Sequence, residues 1–231
     1  MCGVARVDGA MTGPAMLPTV FLVDDDLRVL KALARLLRAN GFATTTFESA
    51  EAFLAKHDVA APGCLVLDVS LPGLDGLALQ RRLAEGGPVL PIVFLTGHGD
   101  IPMSVQAVKA GAVDFLTKPV AAETFLAAVR SGVAQDALAR QAYAETAALR
   151  QRHASLTQRE REVLAGLIAG KLNKQIAADL GIVEPTVKFH RARIMERMQA
   201  RTVAELMHLV ARLALSPTPK SADTSGESTP R

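Results

Sequence analysis

The stretch VFLVDDDLRVL at residues 20–30 runs four apolar residues into three consecutive carboxylates and then into a second apolar pattern. The first run is typical of a buried strand, and the spacing of Leu30, Leu33 and Leu37 predicts an amphipathic helix. Three adjacent carboxylates repel one another unless a cation or a proton lies among them. A turn with a helix N-cap accounts for a single Asp, but three at the end of a strand favour a binding site.

The alternation of a β-rich run and an amphipathic stretch continues to residue 133. Strands are predicted at 19–23, 42–47, 64–68, 91–95 and 112–116, and helices at 27–39, 49–56, 75–85, 101–110 and from 121 onward. This order predicts a doubly wound α/β domain with a five-stranded, mostly parallel sheet. In such sheets functional groups collect at the carboxyl ends of the strands.

Polar side chains follow four of the predicted strands. Asp24 to Asp26 end the first strand, Asp68 the third and Thr96 the fourth, and Lys118 follows the fifth. Asp25 and Asp68 can hold Mg²⁺ or Mn²⁺, with Asp24 as a further ligand directly or through water. An Asp68 oxygen can then attack phosphorus, while Thr96 and Lys118 bind phosphoryl oxygens. The sequence therefore predicts phosphoryl transfer at this edge.

The chain changes character after residue 133. An Ala-rich, charged stretch without Pro or Gly predicts a helical linker, and four further helices are predicted at 157–169, 173–180, 184–198 and 202–214. The predicted domains are a flexible leader at 1–18, an α/β domain at 19–133, the linker at 134–153, a small all-α domain at 154–215 and a disordered Ser/Thr/Pro-rich tail at 216–231.

The second domain contains the pattern of a helix-turn-helix. Thr157 and Glu160 form a capping-box pair at its start, and Gly181 separates a short helix from a longer one. Residues 154–215 carry ten Lys/Arg against six Asp/Glu, whereas residues 19–133 carry ten against twelve. The excess of positive charge in the second domain indicates an anionic partner such as nucleic acid.

Several classes of protein are disfavoured by composition. The two cysteines, Cys2 and Cys64, cannot form a disulfide framework or a zinc cluster, and Cys64 is expected to be a buried thiol. No apolar run approaches the length of a membrane span, and the first residues do not read as a signal peptide. We therefore expect a cytoplasmic protein without a membrane partner, although its start among Met1, Met11 and Met16 is left open.

Four segments resemble the receiver domain of two-component response regulators over residues 19–133. They are DDD at 24–26, LDVSLPGLDG at 67–76, LTGHGD at 95–100 and KAGAVDFLTKP at 109–119. The resemblance implies a CheY-like, flavodoxin-like fold in which Asp68 accepts a phosphoryl group from a sensor histidine kinase. It also implies that Asp24, Asp25, Asp68 and the Ser70 carbonyl bind Mg²⁺, that Lys118–Pro119 is a cis peptide, and that Thr96 and Phe115 form a switch pair.

The segments LTQREREVL, NKQIAADLGI and TVKFHRARI resemble the LuxR/NarL-type DNA-binding domain, so the whole chain is similar to FixJ-type transcriptional regulators. The resemblance implies that phosphorylation promotes homodimer formation and binding to promoter DNA, with RNA polymerase as a further partner. The residues implied in DNA binding are Lys188 and Phe189 at bases, Lys174, Thr186 and Arg191 at phosphates, and Arg193 on the same exposed helix face.

Two alternatives stay open. An Mg²⁺-dependent phosphohydrolase with an Asp nucleophile typically carries a second Asp two residues further on, where this chain has Ser70. We therefore expect only slow self-hydrolysis and not a dedicated enzyme. A phosphorylation-independent DNA binder is disfavoured by the complete acidic site. The stripe of Leu206, Leu209, Val210 and Leu213 can support pairing of two DNA-binding domains or packing within one.

Overall fold

The computed structural model describes residues 17–58, 61–85, 90–97 and 101–215. The predicted tail and most of the predicted leader lie outside these residues. The chain divides into two compact units, Met1–Arg140 and Gln141–Arg231. The described helices include none that is long and apolar enough to cross a membrane.

The first unit contains a five-stranded parallel sheet. Its strands are β1 (Thr19–Val23), β2 (Ala43–Phe47), β3 (Gly63–Leu67), β4 (Ile92–Thr96) and β5 (Asp114–Thr117), in the spatial order β2-β1-β3-β4-β5. All neighbouring strands pair in parallel. Every residue of β3 and β4 is buried, as expected for central strands that are covered on both faces.

Five helices connect or follow these strands. They are α1 (Leu27–Ala39), α2 (Ala50–Lys56), α3 (Gly76–Glu85), α4 (Ile101–Lys109) and α5 (Ala122–Ala154). Residues of α1 and α5 share one apolar cluster with one face of the sheet, and residues of α2, α3 and α4 share a second cluster with the other face. The doubly wound α/β fold is therefore confirmed, and α5 continues without a break through the stretch predicted as a helical linker.

Cys64 on β3 faces α5 and is fully buried, as predicted. Burial raises the pKa of its thiol to about 12, so the thiol is an unreactive apolar group at neutral pH. A methyl group on Gly132 of α5 would lie 2.5 Å from the Cys64 sulfur. The glycine therefore allows α5 to approach β3 closely.

Within residues 141–215, the second unit contains four further helices, which are α6 (Gln158–Ile168), α7 (Asn173–Asp179), α8 (Glu184–Met198) and α9 (Val203–Leu215). Their apolar side chains form one cluster with Leu149 and Leu156. Leu206 is fully buried in this cluster, and Leu209, Val210 and Leu213 pack against it. The α9 stripe is thus used within its own unit, which was one of the two alternatives.

The predicted element boundaries differ from the observed ones by at most two residues. The largest difference at a strand start is in β5, which was predicted from residue 112 and begins at Asp114. Gly111 adopts a φ of 92° after α4, and Ala112 still donates a backbone hydrogen bond to Ala107. Gly111 and Ala112 therefore belong to the turn that ends α4, although the apolar pattern predicts a strand from residue 112.

His57 at the end of α2 is a half-buried imidazole among aromatic rings. It stacks on Phe53 at 4.5 Å between centroids and meets the edge of Phe21 at 4.8 Å. Its Nδ1 is buried without a hydrogen-bond partner within the described residues. Burial lowers the pKa of His57 from 6.5, with the nearby Arg140 adding to this effect and Asp58 opposing it.

The depressed pKa of His57 predicts a loss of stability in mild acid. The contribution of neutral His57 to the free energy of unfolding is fully present above the unfolded-state pKa near 6.5. It is lost as the pH falls below that pKa, because the unfolded chain then binds the proton more readily. We expect the free energy of unfolding, measured with urea, to decline less in His57→Phe than in wild type as the pH falls below about 6.5. The exposed His208→Gln is the control, and equal pH profiles for wild type and His57→Phe would contradict the assignment.

Candidate functional site

The acidic residues predicted at the strand ends lie together in the structure. Asp24 follows β1 and Asp68 follows β3, and the two strands are paired neighbours. Carboxylate oxygens of Asp24, Asp25 and Asp68 all lie within 4.8 Å of one another. Asp24 and Asp68 are buried, whereas Asp25 is exposed. The cluster therefore opens to solvent on the side of Asp25.

Lys118 joins this cluster from the segment after β5. Its Nζ donates to Asp68 Oδ2 at 2.7 Å and also donates to Asp24 Oδ2. Burial raises the pKa of Asp24, although the hydrogen bond from Lys118 opposes the shift. Burial also disfavours the charged form of Lys118, but hydrogen bonds to the two carboxylates outweigh this and raise the pKa of Lys118. One ammonium group is thus shared by two buried carboxylates. The following peptide bond, Lys118–Pro119, is cis.

Asp26 has a different role from its two neighbours. Its side chain accepts a hydrogen bond from the Arg28 backbone at 2.8 Å and pairs with the Arg28 guanidinium at 3.0 Å. It is the N-cap of α1, and these contacts lower the pKa of its carboxyl group. The run of three aspartates therefore divides into two site residues and one helix cap.

The loop after β3 holds Asp68 from several sides. The Ser70 backbone donates to Asp68 Oδ1 at 3.0 Å, so both oxygens of Asp68 have a partner. Gly76 begins α3 so close to this loop that a methyl group there would lie 2.4 Å from the Asp68 carbonyl oxygen. Glu51 accepts from the Leu74 backbone at 3.0 Å and ties the loop to α2. These contacts fix the position of the Asp68 carboxylate.

Thr96 and Phe115 lie on the same face of the sheet. Phe94 and Phe115 are register partners on β4 and β5, and Thr96 follows Phe94 by two residues. Thr96 is fully buried, and its carbonyl accepts from the Lys118 backbone at 2.8 Å. The Phe115 ring is half-buried and lies 6.0 Å from the Phe94 ring. Thr96 and Phe115 therefore lie on one face of two neighbouring strands.

The donor set fits a hard divalent cation. Three carboxylates offer oxygen atoms, which Mg²⁺ prefers, and their mutual spacing is compatible with metal–oxygen bonds of about 2.1 Å after small side-chain adjustments. The partial exposure of the cluster leaves room for the waters that Mg²⁺ retains. The acidic cluster can therefore hold a metal ion.

The second unit presents the predicted helix-turn-helix. Gly181 has a φ of 64° between α7 and α8, and the capping box of Thr157 and Glu160 is formed at the start of α6. On α8, Val187, Ile194 and Met198 are fully buried, and Lys188, Phe189, Ala192, Arg193 and Glu196 are exposed. The helix α8 therefore has a core face and an exposed face.

The exposed face of α8 carries several local contacts. The Arg193 guanidinium lies 5.6 Å from the centre of the Phe189 ring, and Lys188 pairs with Glu184 at 3.2 Å. Arg191 donates to Asn173 at 3.3 Å and so connects α8 to the start of α7. Lys174 is exposed on α7, and Thr186 is half-buried in the first turn of α8. A basic and aromatic helix face of this kind can enter the major groove of DNA.

The N-cap of α8 is the exposed Val183, which makes no side-chain capping bond. Ser at this position would supply the missing oxygen without losing a buried side chain, so we expect Val183→Ser to stabilise α8 by about 0.5–2 kcal/mol. This stabilisation of α8 should be measurable as slower amide hydrogen exchange in the helix. Val183→Ala, which adds no acceptor, should show no such slowing, and equal protection in both variants would contradict the capping argument.

Four hydrogen bonds between distant residues of the first unit were not predicted from the sequence. Glu51 accepts from the Leu74 backbone, and the Gln80 amide donates to the carbonyls of Ala107 and Ala110. The buried Asp136 accepts from the Gly63 N–H. Their partners are 23, 27, 30 and 73 residues apart along the chain. No local spacing pattern could have indicated them.

Comparison with known families assigns both units. The response regulator receiver domain matches residues 20–130, and the family of bacterial regulatory proteins named luxR matches residues 154–210. The response regulator protein TmoT of Ectopseudomonas mendocina is 44% identical over 194 residues, which are 84% of this chain and 88% of that protein. This chain belongs to the response regulators that join a receiver domain to a LuxR-type DNA-binding domain.

Other relatives support the assignment of this chain to the response regulators. The transcriptional regulatory protein FixJ of Bradyrhizobium diazoefficiens is 40% identical over 85% of this chain and 96% of its own length. The solved structure of the response regulator StyR covers 85% of this chain and 99% of its own, with 48% identity and a TM-score of 0.77. A full-length FixJ structure from B. japonicum covers 87% and 98%, with 40% identity and a TM-score of 0.52. The predicted fold, family and two-component regulatory function are therefore confirmed.

Proposed function

We propose that Asp68 is the phosphoacceptor of this regulator and that its phosphorylation by a sensor histidine kinase in the cytoplasm promotes dimer formation and promoter binding. The observation that carries the proposal is the convergence of Asp24, Asp25, Asp68 and Lys118 at one edge of the sheet. These groups suit the charges of a phosphoryl group and its metal ion.

The transfer itself forms one bond and breaks one. An Asp68 oxygen bonds to phosphorus while the bond from phosphorus to the histidine nitrogen of the kinase breaks, and the electron pair stays on that nitrogen. Asp24, Asp25, Asp68 and the Ser70 carbonyl would hold Mg²⁺ or Mn²⁺, which when bound offsets the negative charge on the phosphoryl oxygens. Lys118 pairs with another of these oxygens as a compact cation.

Phosphorylation of Asp68 changes the surface formed by α4 and β5. The Thr96 hydroxyl bonds to the phosphoryl group, and the half-buried Phe115 ring on the same face of the sheet follows it inward. Two exposed valines stand one turn apart on α4, Val105 at 45% and Val108 at 54% exposure. Apolar side chains in this position support pairing of two phosphorylated receivers.

Pairing of two chains places two α8 helices on two half-sites of the operator. Lys188 and Phe189 face the bases, and Lys174, Thr186 and Arg191 face phosphates. Arg193, stacked against Phe189, lies on the same exposed face. RNA polymerase is the expected next partner at the promoter.

Val108→Asp tests the dimer surface separately from the chemistry. A charge placed on this exposed apolar position should leave phosphoryl uptake unchanged and weaken dimer formation of the phosphorylated protein by at least about tenfold. Sedimentation in the presence of a small acyl phosphate measures the dimer, and intact mass measures uptake. Thr45→Asp on the exposed part of β2 is the matched control. Normal dimer formation by Val108→Asp would exclude this part of α4 from the interface.

A further inference from the structure

A basic groove lies beside α1 in the first unit, between α1, the end of β2 and α2. Its volume is about 560 Å³. Four cationic side chains line it and one acidic side chain does so, namely Lys31, Arg35, Arg38 and Lys56 against Glu48. None of these residues belongs to the acidic cluster.

The cations of the basic groove lack acidic partners. In residues 17–58, 61–85, 90–97 and 101–215, no carboxylate oxygen lies within 4.0 Å of a nitrogen of any of the four. By contrast, Arg28 on the same helix pairs with Asp26, and Arg140 of α5 pairs with Asp136. The groove therefore holds positive charge that the described part of the protein does not balance.

Two of these cations have no evident role in the fold. Lys31 and Arg35 are exposed and four residues apart on α1, a spacing at which like charges destabilise a helix by about 0.2–0.5 kcal/mol. Arg38 and Lys56 lie in the last turns of α1 and α2, where a positive charge favours the helix. Helix stability thus explains Arg38 and Lys56 but not Lys31 and Arg35.

The floor of the basic groove is apolar. Leu27, Leu30, Ala34, Phe47 and Ala52 line it. Leu27 is 47% exposed, so it is available to an incoming apolar side chain. The groove also borders β2, which is an edge strand of the sheet. A cationic rim above an apolar floor fits a ligand that is both acidic and apolar.

We propose that the basic groove is a docking site for an acidic amphipathic segment of a partner protein. Acidic side chains of the segment pair with Lys31 and Arg35, and its apolar side chains pack on Leu27 and the floor beneath. A protein segment suits this surface better than DNA, because phosphates use the cations and leave the apolar floor without a partner. The site is separate from Asp68 and does not depend on phosphorylation.

A labelled synthetic helical peptide, with glutamates on one face and leucines on the other, is the probe. Binding to the full-length protein is measured by fluorescence anisotropy. Reversal of two rim charges in Lys31→Glu/Arg35→Glu should weaken binding by about tenfold. Arg81→Glu/Arg82→Glu reverses two exposed charges on α3 and should bind like wild type. A matched peptide with Gln in place of Glu should bind more weakly than the acidic peptide to the wild-type protein.

Three results would overturn the proposal. The first is equal binding of the acidic peptide by wild type and the Lys31→Glu/Arg35→Glu variant, and the second is equal affinity of wild type for the acidic and neutral peptides. The third is a loss of affinity for random-sequence duplex DNA in the same variant that exceeds its loss of affinity for the peptide, which would make the groove a nucleic-acid surface. Phosphoryl uptake, measured by intact mass, should stay at the wild-type level in the variant.

Discussion

Asp68→Ala is expected to abolish phosphoryl uptake while the protein stays folded. The substitution removes the carboxylate at the end of β3 that accepts from Lys118 and from the Ser70 backbone and lies beside Asp24. Lys118 keeps Asp24 as an ionic partner, so the variant does not leave an unpaired buried ammonium group. Intact mass after incubation with Mg²⁺ and a small acyl phosphate measures the loss.

Asp26→Asn is the matched control for this result. Asp26 belongs to the same run of three aspartates but caps α1, and Asn caps a helix about as well as Asp. The control should therefore be phosphorylated like wild type. Uptake by Asp68→Ala at the wild-type level would disprove the assignment of the phosphoacceptor.

Lys118→Ala is expected to have the second-largest effect, on stability. It leaves Asp24 and Asp68 buried without their shared cation, and breaking a buried ion pair from one side typically costs 3–5 kcal/mol. The Lys118 side chain is 22% exposed, so we expect a smaller loss of about 2–4 kcal/mol in metal-free urea unfolding of the receiver. Millimolar Mg²⁺ should restore part of this loss, because it supplies positive charge to the same carboxylates.

Two comparisons isolate the cause of the Lys118→Ala effect. Adding Asp24→Asn removes one of the two unbalanced charges, so the double variant should be more stable than Lys118→Ala alone. Lys109→Ala, at an exposed position on α4, should change stability little. A loss in Lys118→Ala that neither Mg²⁺ nor Asp24→Asn reduces would mean that packing, and not charge, explains the role of Lys118.

The periodic parts of the fold were predictable from the sequence. The bounds of α1 and α8 are as predicted, because a polar cap or a Gly-containing turn precedes a regular apolar spacing in each. The buried set of Val187, Ile194 and Met198 on α8 follows from the same spacing. The local sequence pattern was therefore sufficient to predict the bounds of these two helices and the buried face of α8.

The meeting of Asp24, Asp68 and Lys118 was also predictable, because parallel strands bring their carboxyl ends to one edge. The separate role of Asp26 was not, since a run of three aspartates does not show which of them turns back to cap α1. The Glu51 tie to the loop beyond Asp68 and the basic groove both depend on residues brought together by the tertiary fold. Such contacts have no signature in local sequence.

Phosphorylation of Asp68 is expected to increase DNA binding. The most direct test starts from a DNA sequence selected by the phosphorylated protein and measures intact mass and DNA affinity on the same samples, with and without an acyl phosphate and Mg²⁺. We expect one added phosphoryl group and tighter binding, with both absent in Asp68→Ala. One added group with unchanged affinity, or tighter binding that persists in Asp68→Ala, would contradict it.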